Sequence, residues 1–202
     1  APDEILWQAE PHIGTDRLPA VVTGLRRAIM DAGGDFFFSA CLKDILLSDN
    51  ALRAVSVGMG ENIEIMETEC LILAAGHSAR ELYSLLCEKK AKLQPKPFSI
   101  GLRVEHRQTL VNVAQYGKAA GHPALGAASY RLSCRLPSGR AVYTFCMCPG
   151  GEVVAAASER GGVVTNGMSR FSRDGENANA ALLVSLSPAD FGSLHPLAGV
   201  WF

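Results

Sequence analysis

"ECLILAAGHSARELYSLLCEKK", residues 69–90, decides how the first half of the chain is read. Cys70 to Ala75 is continuously apolar rather than alternating, the pattern of a strand covered on both faces in a parallel sheet. The run passes straight into a helical pattern. Ser78 and Glu81 have capping-box spacing, and Leu82, Leu85 and Leu86 form an apolar stripe. Gly76-His77 then reads as a strand-to-helix turn at the carboxyl end of a buried strand, where open α/β sheets bind ligands. The competing reading of His77 is a solvated turn residue.

Upstream, "GTDRLPAVVTGLRRAIMDAGG" (14–34) reads as a helix, with Leu18, Val22, Leu25 and Ile29 at helical spacing. Thr15 or Asp16 can cap its start, and Gly33-Gly34 stops it. "DFFFSACLKDILL" (35–47), "ALRAVSVG" (51–58) and "NIEIMET" (62–68) read as three short strands of a meander, with a turn at Asp49-Asn50. Downstream, the Pro-rich "KLQPKPF" (92–98) marks a domain boundary. Beyond it the pattern alternates. "FSIGLRVEH" (98–106), "ASYRLSCRL" (128–136), "RAVYTFCMC" (140–148) and "EVVAAAS" (152–158) read as an antiparallel meander turned by Pro137-Ser138-Gly139 and Pro149-Gly150-Gly151. A short strand and a long polar loop follow within residues 163–179, and "AALLVSL" (180–186) is a last strand. The expected class is α+β with an α/β part: a region at 1–94 with helix, meander, parallel strand and helix, and an antiparallel β-rich domain at 95–202.

Composition narrows the function. The chain has 202 residues, nearly half of them apolar, and a net charge of −1 from nineteen basic and twenty acidic residues. With no basic run, neither nucleic acid nor an anionic membrane surface is expected as a partner. No apolar run approaches the roughly 20 residues that span a bilayer. Six scattered cysteines fit reduced thiols in a cytoplasmic protein. Gly58-Met59-Gly60 lacks a third glycine and opens no helix, so no nucleotide fingerprint is present.

Cys146 and Cys148 raise the sharpest chemical question. Strand alternation places them on one small face with Thr144, opposite Tyr143, Phe145 and Met147. They read as small hydrophobes under other protein, or as a ligand-facing surface beside the Pro-Gly-Gly turn. Cys-x-Cys is the wrong local spacing for zinc, and no second pair exists. An extended strand holds such a pair roughly 6.5–7 Å apart at Cα, which disfavours a disulfide. The polar loop offers Asn166, Gly167, Arg170 and Arg173, and two arginines can hold a carboxylate or phosphate. An ordinary exposed loop is the alternative.

Together, "PHIGTDRL", "AAGHSAREL", "FSIGLRVEH", "YTFCMCPGGEVVAAASE" and "VVTNGMSRFSRD…NANAA" resemble successive motifs of the bacterial FAD-dependent dehydrogenases of the NAD(FAD)-utilising type. These are two-dinucleotide-binding-domain flavoproteins akin to glutathione reductase. The resemblance covers nearly the whole chain. It implies that 1–94 is a partial FAD-binding domain lacking the Gly-rich phosphate loop, and that 95–202 is the substrate-side domain of an oxidoreductase. The family's Ala-Thr-Gly is Ala74-Ala75-Gly76 here. The chain is therefore expected to be an internal fragment, with FAD bound by the full-length enzyme and not by this piece alone. The resemblance places Leu42, Ala75, Gly76 and His77 beside the cofactor. Cys146 and Cys148 are the candidate catalytic residues, and Gly150, Gly151, Asn166, Gly167 and Arg173 lie on the substrate side. A small-molecule substrate and NAD(P)H are the expected partners, and no metal is expected. The other reading is a non-catalytic module that binds a small ligand or a protein on a flavoprotein scaffold.

Overall fold

The computed structural model describes residues 3–7, 12–193 and 195–197. In chain order their elements are α1 (Leu18–Asp31), β1 (Ala40–Ser48), β2 (Ala51–Met59), β3 (Asn62–Glu67), α2 (Arg80–Glu88), β4 (Phe98–Arg107), α3 (Gln108–Tyr116), β5 (Ser133–Arg135), β6 (Ala141–Cys148), β7 (Gly151–Ala155), β8 (Thr165–Ser169) and β9 (Asn177–Leu186). The fold is β-rich and mixed. Every strand pairing among the described residues is antiparallel, and no sheet closes into a barrel. Two compact units emerge: Ala1–Asp31 with Pro97–Leu186, and Ala32–Lys96 with Ser187–Phe202. Among the described residues no helix is long and apolar enough to cross a membrane.

The unit built on Ala32–Lys96 holds the expected meander, ordered β1-β2-β3. Asp49 and Asn50 both take positive φ, 53° and 61°, the conformation of a two-residue hairpin turn matched to strand twist. Among its described residues Ile45, Ala54, Val55, Ser56 and Gly58 are buried. Phe36, Phe37 and Phe38 lie before β1 and are exposed, so the first strand starts later than the apolar run implied. Lys89 Nζ lies 2.6 Å from the Asp44 carboxylate. That hydrogen bond, helped by the Ile45 amide, holds the Asp44 carboxyl below its usual range.

The parallel strand expected at Cys70–Ala75 does not form. The segment pairs with no strand among the described residues, and Ile72 is 86% exposed. A continuously apolar strand needs a neighbour on each edge and cover on each face, and the described residues of this unit supply neither. Local bonds take over at its start, where Thr68 Oγ1 donates to Cys70 O (2.9 Å) and accepts from Cys70 N (3.3 Å). The capping box at Ser78 does not form either. Ala79 is the N-cap of α2 and no side chain caps it, because Ser78 sits one position too early.

In the other unit, β4-β9-β6-β5 form one sheet and β7-β8 a separate ribbon. Helix α3, absent from the sequence reading, leaves β4 without a loop. Only Gln108 and Val111 of its residues are buried, too narrow a stripe to stand out as periodicity, and Gly117 ends it at φ 56°. Val111, Ala128 and Ala178 form the core, with Tyr116, Tyr130 and Met147 against it. Burial raises the pKa of Tyr130. Strand β9 begins at Asn177, not Ala180, which shortens the polar loop to residues 170–176.

Candidate functional site

A one-residue bulge in β6 shapes the site. Phe145 stands opposite Ala181 and Cys148 opposite Asn179, so Cys146 and Met147 together face Ala180. Cys146 carries the irregularity at φ 49°, a conformation that L-residues adopt reluctantly. The bulge shifts the facing pattern by one. Cys146 and Cys148 therefore do not share a regular strand face as alternation implied. Cys146 is exposed, Cys148 is buried, and Phe145, on the bulky face, is 61% exposed.

Cys148 lands beside Asn179 and Arg103. Arg103 Nη1 donates to Asn179 Oδ1 (2.7 Å) and to Cys146 O (3.2 Å). Gly167 of β8 presses on this cluster. A Cβ built there would lie 2.7 Å from Cys148 Sγ and 2.5 Å from Arg103 Nη1, and would overlap Asn179 Oδ1. Only a glycine fits between β8 and these three side chains. Burial, then the neighbouring Cys146 thiol, push the Cys148 thiol up to about 11, while Arg103 opposes the rise. Asn179 is fully buried, and its Nδ2 has no acceptor; Arg103 Nε is likewise buried without one. Two buried donors of the Arg103–Asn179 pair are thus left uncommitted.

The Pro149-Gly150-Gly151 turn is held from inside. Buried Gln108 accepts from Gly150 N (2.8 Å) and donates to Ala128 O (2.9 Å) and Asn112 Oδ1 (2.9 Å). Ser169 Oγ donates to Pro149 O. Gly150 has φ 56°, and a Cβ there would strike the Arg173 carbonyl. Arg173 itself takes φ 52°, and its Nε is buried without a partner.

The segment His12–Arg17 is strapped to the loop after β8. His12 Nε2 bonds to Arg170 O (2.8 Å), Thr15 N donates to Ser169 O (2.9 Å), and Asp16 Oδ1 accepts from Phe171 N (2.8 Å). The Arg17 guanidinium lies 3.4 Å over the Phe171 ring. Two motifs 155 residues apart in sequence, at Asp16 and Phe171, are thereby one structural device. Thr15 and Asp16 would have been read as caps for α1, but their side chains bond here instead. Strap, turn and loop line an open cleft of about 580 Å³, walled by Gly150, Gly151, Glu152, Arg170 and residues 174–177.

Of the residues expected from sequence, Cys148, Gly150, Gly151, Gly167 and Arg173 come together at this turn. Cys146 borders it from the exposed side. Asn166 pairs across from Val154 and is exposed, outside the cleft wall. Leu42, Ala75, Gly76 and His77 belong to the other unit: Leu42 is half-buried in β1, and the other three are exposed on the unpaired segment. Gly76 has φ 73°, no atom lies within 4 Å of where its Cβ would be, and Tyr83 Oη donates to its carbonyl (3.0 Å). Among the described residues no cluster of His, Cys, Asp or Glu has the make-up of a metal site. Sequence reading missed Arg103, Gln108 and Asn179. The signal available for Arg103 was a charged residue inside a strand pattern, which asks for a buried partner, whereas Asn179 fell in the stretch that reads as a loop and offered none.

Residues 97–202, just over half of the chain, match the family model described as FAD-dependent protein, C-terminal domain-like. A protein of Clostridium beijerinckii described as "Uncharacterized protein" is 47% identical over 203 residues, an alignment that covers 100% of this chain and 37% of that relative. The chain thus spans well under half the length of the relative it matches. It belongs to the family of FAD-dependent proteins with this C-terminal domain.

Proposed function

We propose that the chain serves an FAD-dependent dehydrogenase of the NAD(FAD)-utilising type. Residues 1–94 contribute part of the FAD cradle, and residues 95–202 form the substrate-side domain. The family membership carries this reading. One feature of the fold is in keeping with that reading. The Leu71–Gly76 backbone pairs with no strand among the described residues, and Gly76 has open space at a positive φ, which leaves room for a flat or phosphorylated group at the main chain there. Leu42, Ala75, Gly76 and His77 would hold it. FAD, when bound, supplies a two-electron acceptor.

The remaining roles fall to this chain's own side chains. Gly150, Gly151 and Arg173 build the turn beside the cleft, and Asn166 and Gly167 the ribbon next to it. The cleft suits a small-molecule substrate. Cys146 and Cys148 supply the reactive thiols on this side. NAD(P)H as electron donor and a cytoplasmic setting complete the proposal. Anaerobic addition of NADH or NADPH to the purified full-length protein tests it. Bleaching of the visible flavin band is the expected result. A protein whose flavin neither reagent reduces would not be a dehydrogenase of this type, and one without flavin would be the binding module instead.

A further inference from the structure

We propose that Cys146 and Cys148 form a reversible intrachain disulfide, with exposed Cys146 as the entry thiol and buried Cys148 as the resolving thiol. The inference deepens the placing of these thiols on the substrate side and rests on that placing alone. The bulge makes it possible. Three chain steps from Phe145 to Cys148 span the two steps from Ala181 to Asn179. The chain between the cysteines is therefore contracted below the roughly 6.5–7 Å of an extended pair, toward the roughly 4.4–6.8 Å that a disulfide bridges. Cys148 Sγ donates to Cys146 O (3.3 Å), which holds the buried thiol against the bulged backbone of its partner.

Accessibility and charge set the order of events. Cys146 meets solvent, and Cys148 does not. The oxidant is a low-molecular-weight disulfide. The Cys146 thiolate attacks one of its sulfurs, forms a mixed disulfide and releases one small thiol. Cys148 then gives its proton to solvent, and its thiolate attacks Cys146 Sγ and releases the second small thiol. Two thiols are oxidised, and one small disulfide is reduced to two thiols. The thiolate needed for the second step arises beside the Arg103 guanidinium, whose positive charge favours the anion. The cationic neighbour was invisible in sequence, because Arg103 is 43 positions from the Cys146 carbonyl it bonds.

The test equilibrates the full-length protein with glutathione buffers from reducing to oxidising, blocks free thiols with an alkylating reagent, and digests with trypsin. Cleavage after Arg140 and Arg160 isolates both cysteines, and no others, in one peptide. Under oxidising buffer the wild-type peptide should lack two hydrogens and take up no alkyl group. Dithiothreitol should restore both sites. Cys148→Ser should stop at a stable glutathione adduct on Cys146, and Cys146→Ser should leave Cys148 unoxidised. The proposal is overturned if the wild-type peptide is doubly alkylated at every potential, or if it carries the same glutathione adduct as the Cys148→Ser variant. Thiol mapping needs no flavin, so its failure is distinct from failure of the dehydrogenase reading.

Discussion

Gly167→Ala places a methyl group where three side chains already meet. The new Cβ would lie 2.7 Å from Cys148 Sγ and 2.5 Å from Arg103 Nη1, and inside contact distance of Asn179 Oδ1. None of these can swing away freely: Asn179 is fully buried, Cys148 is buried, and Arg103 is tied to Asn179 Oδ1 at 2.7 Å. Overpacking of this kind costs about 1–3 kcal/mol. Displacing the charged hydrogen bond between Arg103 and Asn179 adds about 1.5–3 kcal/mol. The two overlap, because relieving the clash is what breaks the bond, so a loss of roughly 3 kcal/mol is expected. At about 2–4 °C per kcal/mol for a domain of this size, the melting temperature should fall by roughly 6–12 °C. Thermal unfolding followed by circular dichroism reads the change. Gly126→Ala is the control, since no atom lies within 4 Å of its would-be Cβ and its φ is ordinary; it should stay within about 0.5 kcal/mol of wild type. If Gly167→Ala and Gly126→Ala melt together, β8 does not close over the Cys148 cluster as described.

Three further outcomes follow from the same geometry. Gln108→Leu strips the acceptor from Gly150 N and the donor to Ala128 O, two groups at a buried position, and should cost roughly 2–4 kcal/mol by chemical denaturation. Cys148 gives a pH signature: its folded pKa of about 11 exceeds the ordinary 9.0, so the unfolded chain releases the proton first. Stability is then whole below the ordinary value and declines as pH rises from 9.0 toward about 11, by roughly 2–3 kcal/mol, and Cys148→Ala should flatten that slope in denaturant midpoints. Gly76→Val puts a β-branched residue at φ 73° in the open turn and should lower the flavin content of the full-length protein while the β4–β9 sheet keeps its melting behaviour; undiminished flavin counts against that turn as cofactor contact.

What the sequence disclosed, and what it hid, divides along a physical line. Local signals were legible. Helical spacing located α1, Asp49-Asn50 located the hairpin turn, and alternation located β4 and β6. Signals that depend on distant partners were not. Cys70–Ala75 has the composition of a buried strand, yet strand formation is settled by neighbours, and none pairs with it among the described residues. The bulge at Cys146 exists because β6 must match β9 past Ala180, a register that no reading of residues 141–148 alone contains. Thr15 and Asp16 looked like helix caps because the loop at Ser169–Phe171 that binds them lies far along the chain. For the site, the glycine turn and the thiols were evident as residue types. The partners that give them chemistry, Arg103, Gln108 and Asn179, arrive from β4, α3 and β9.

Family membership supports the proposal that this chain serves a protein that binds FAD. Flavin content of the full-length protein, purified without added cofactor and measured by its visible spectrum and by release of the nucleotide on denaturation, tests that claim most directly. The account predicts stoichiometric FAD, retained through gel filtration. A colourless protein that takes up no FAD when incubated with an excess would contradict it.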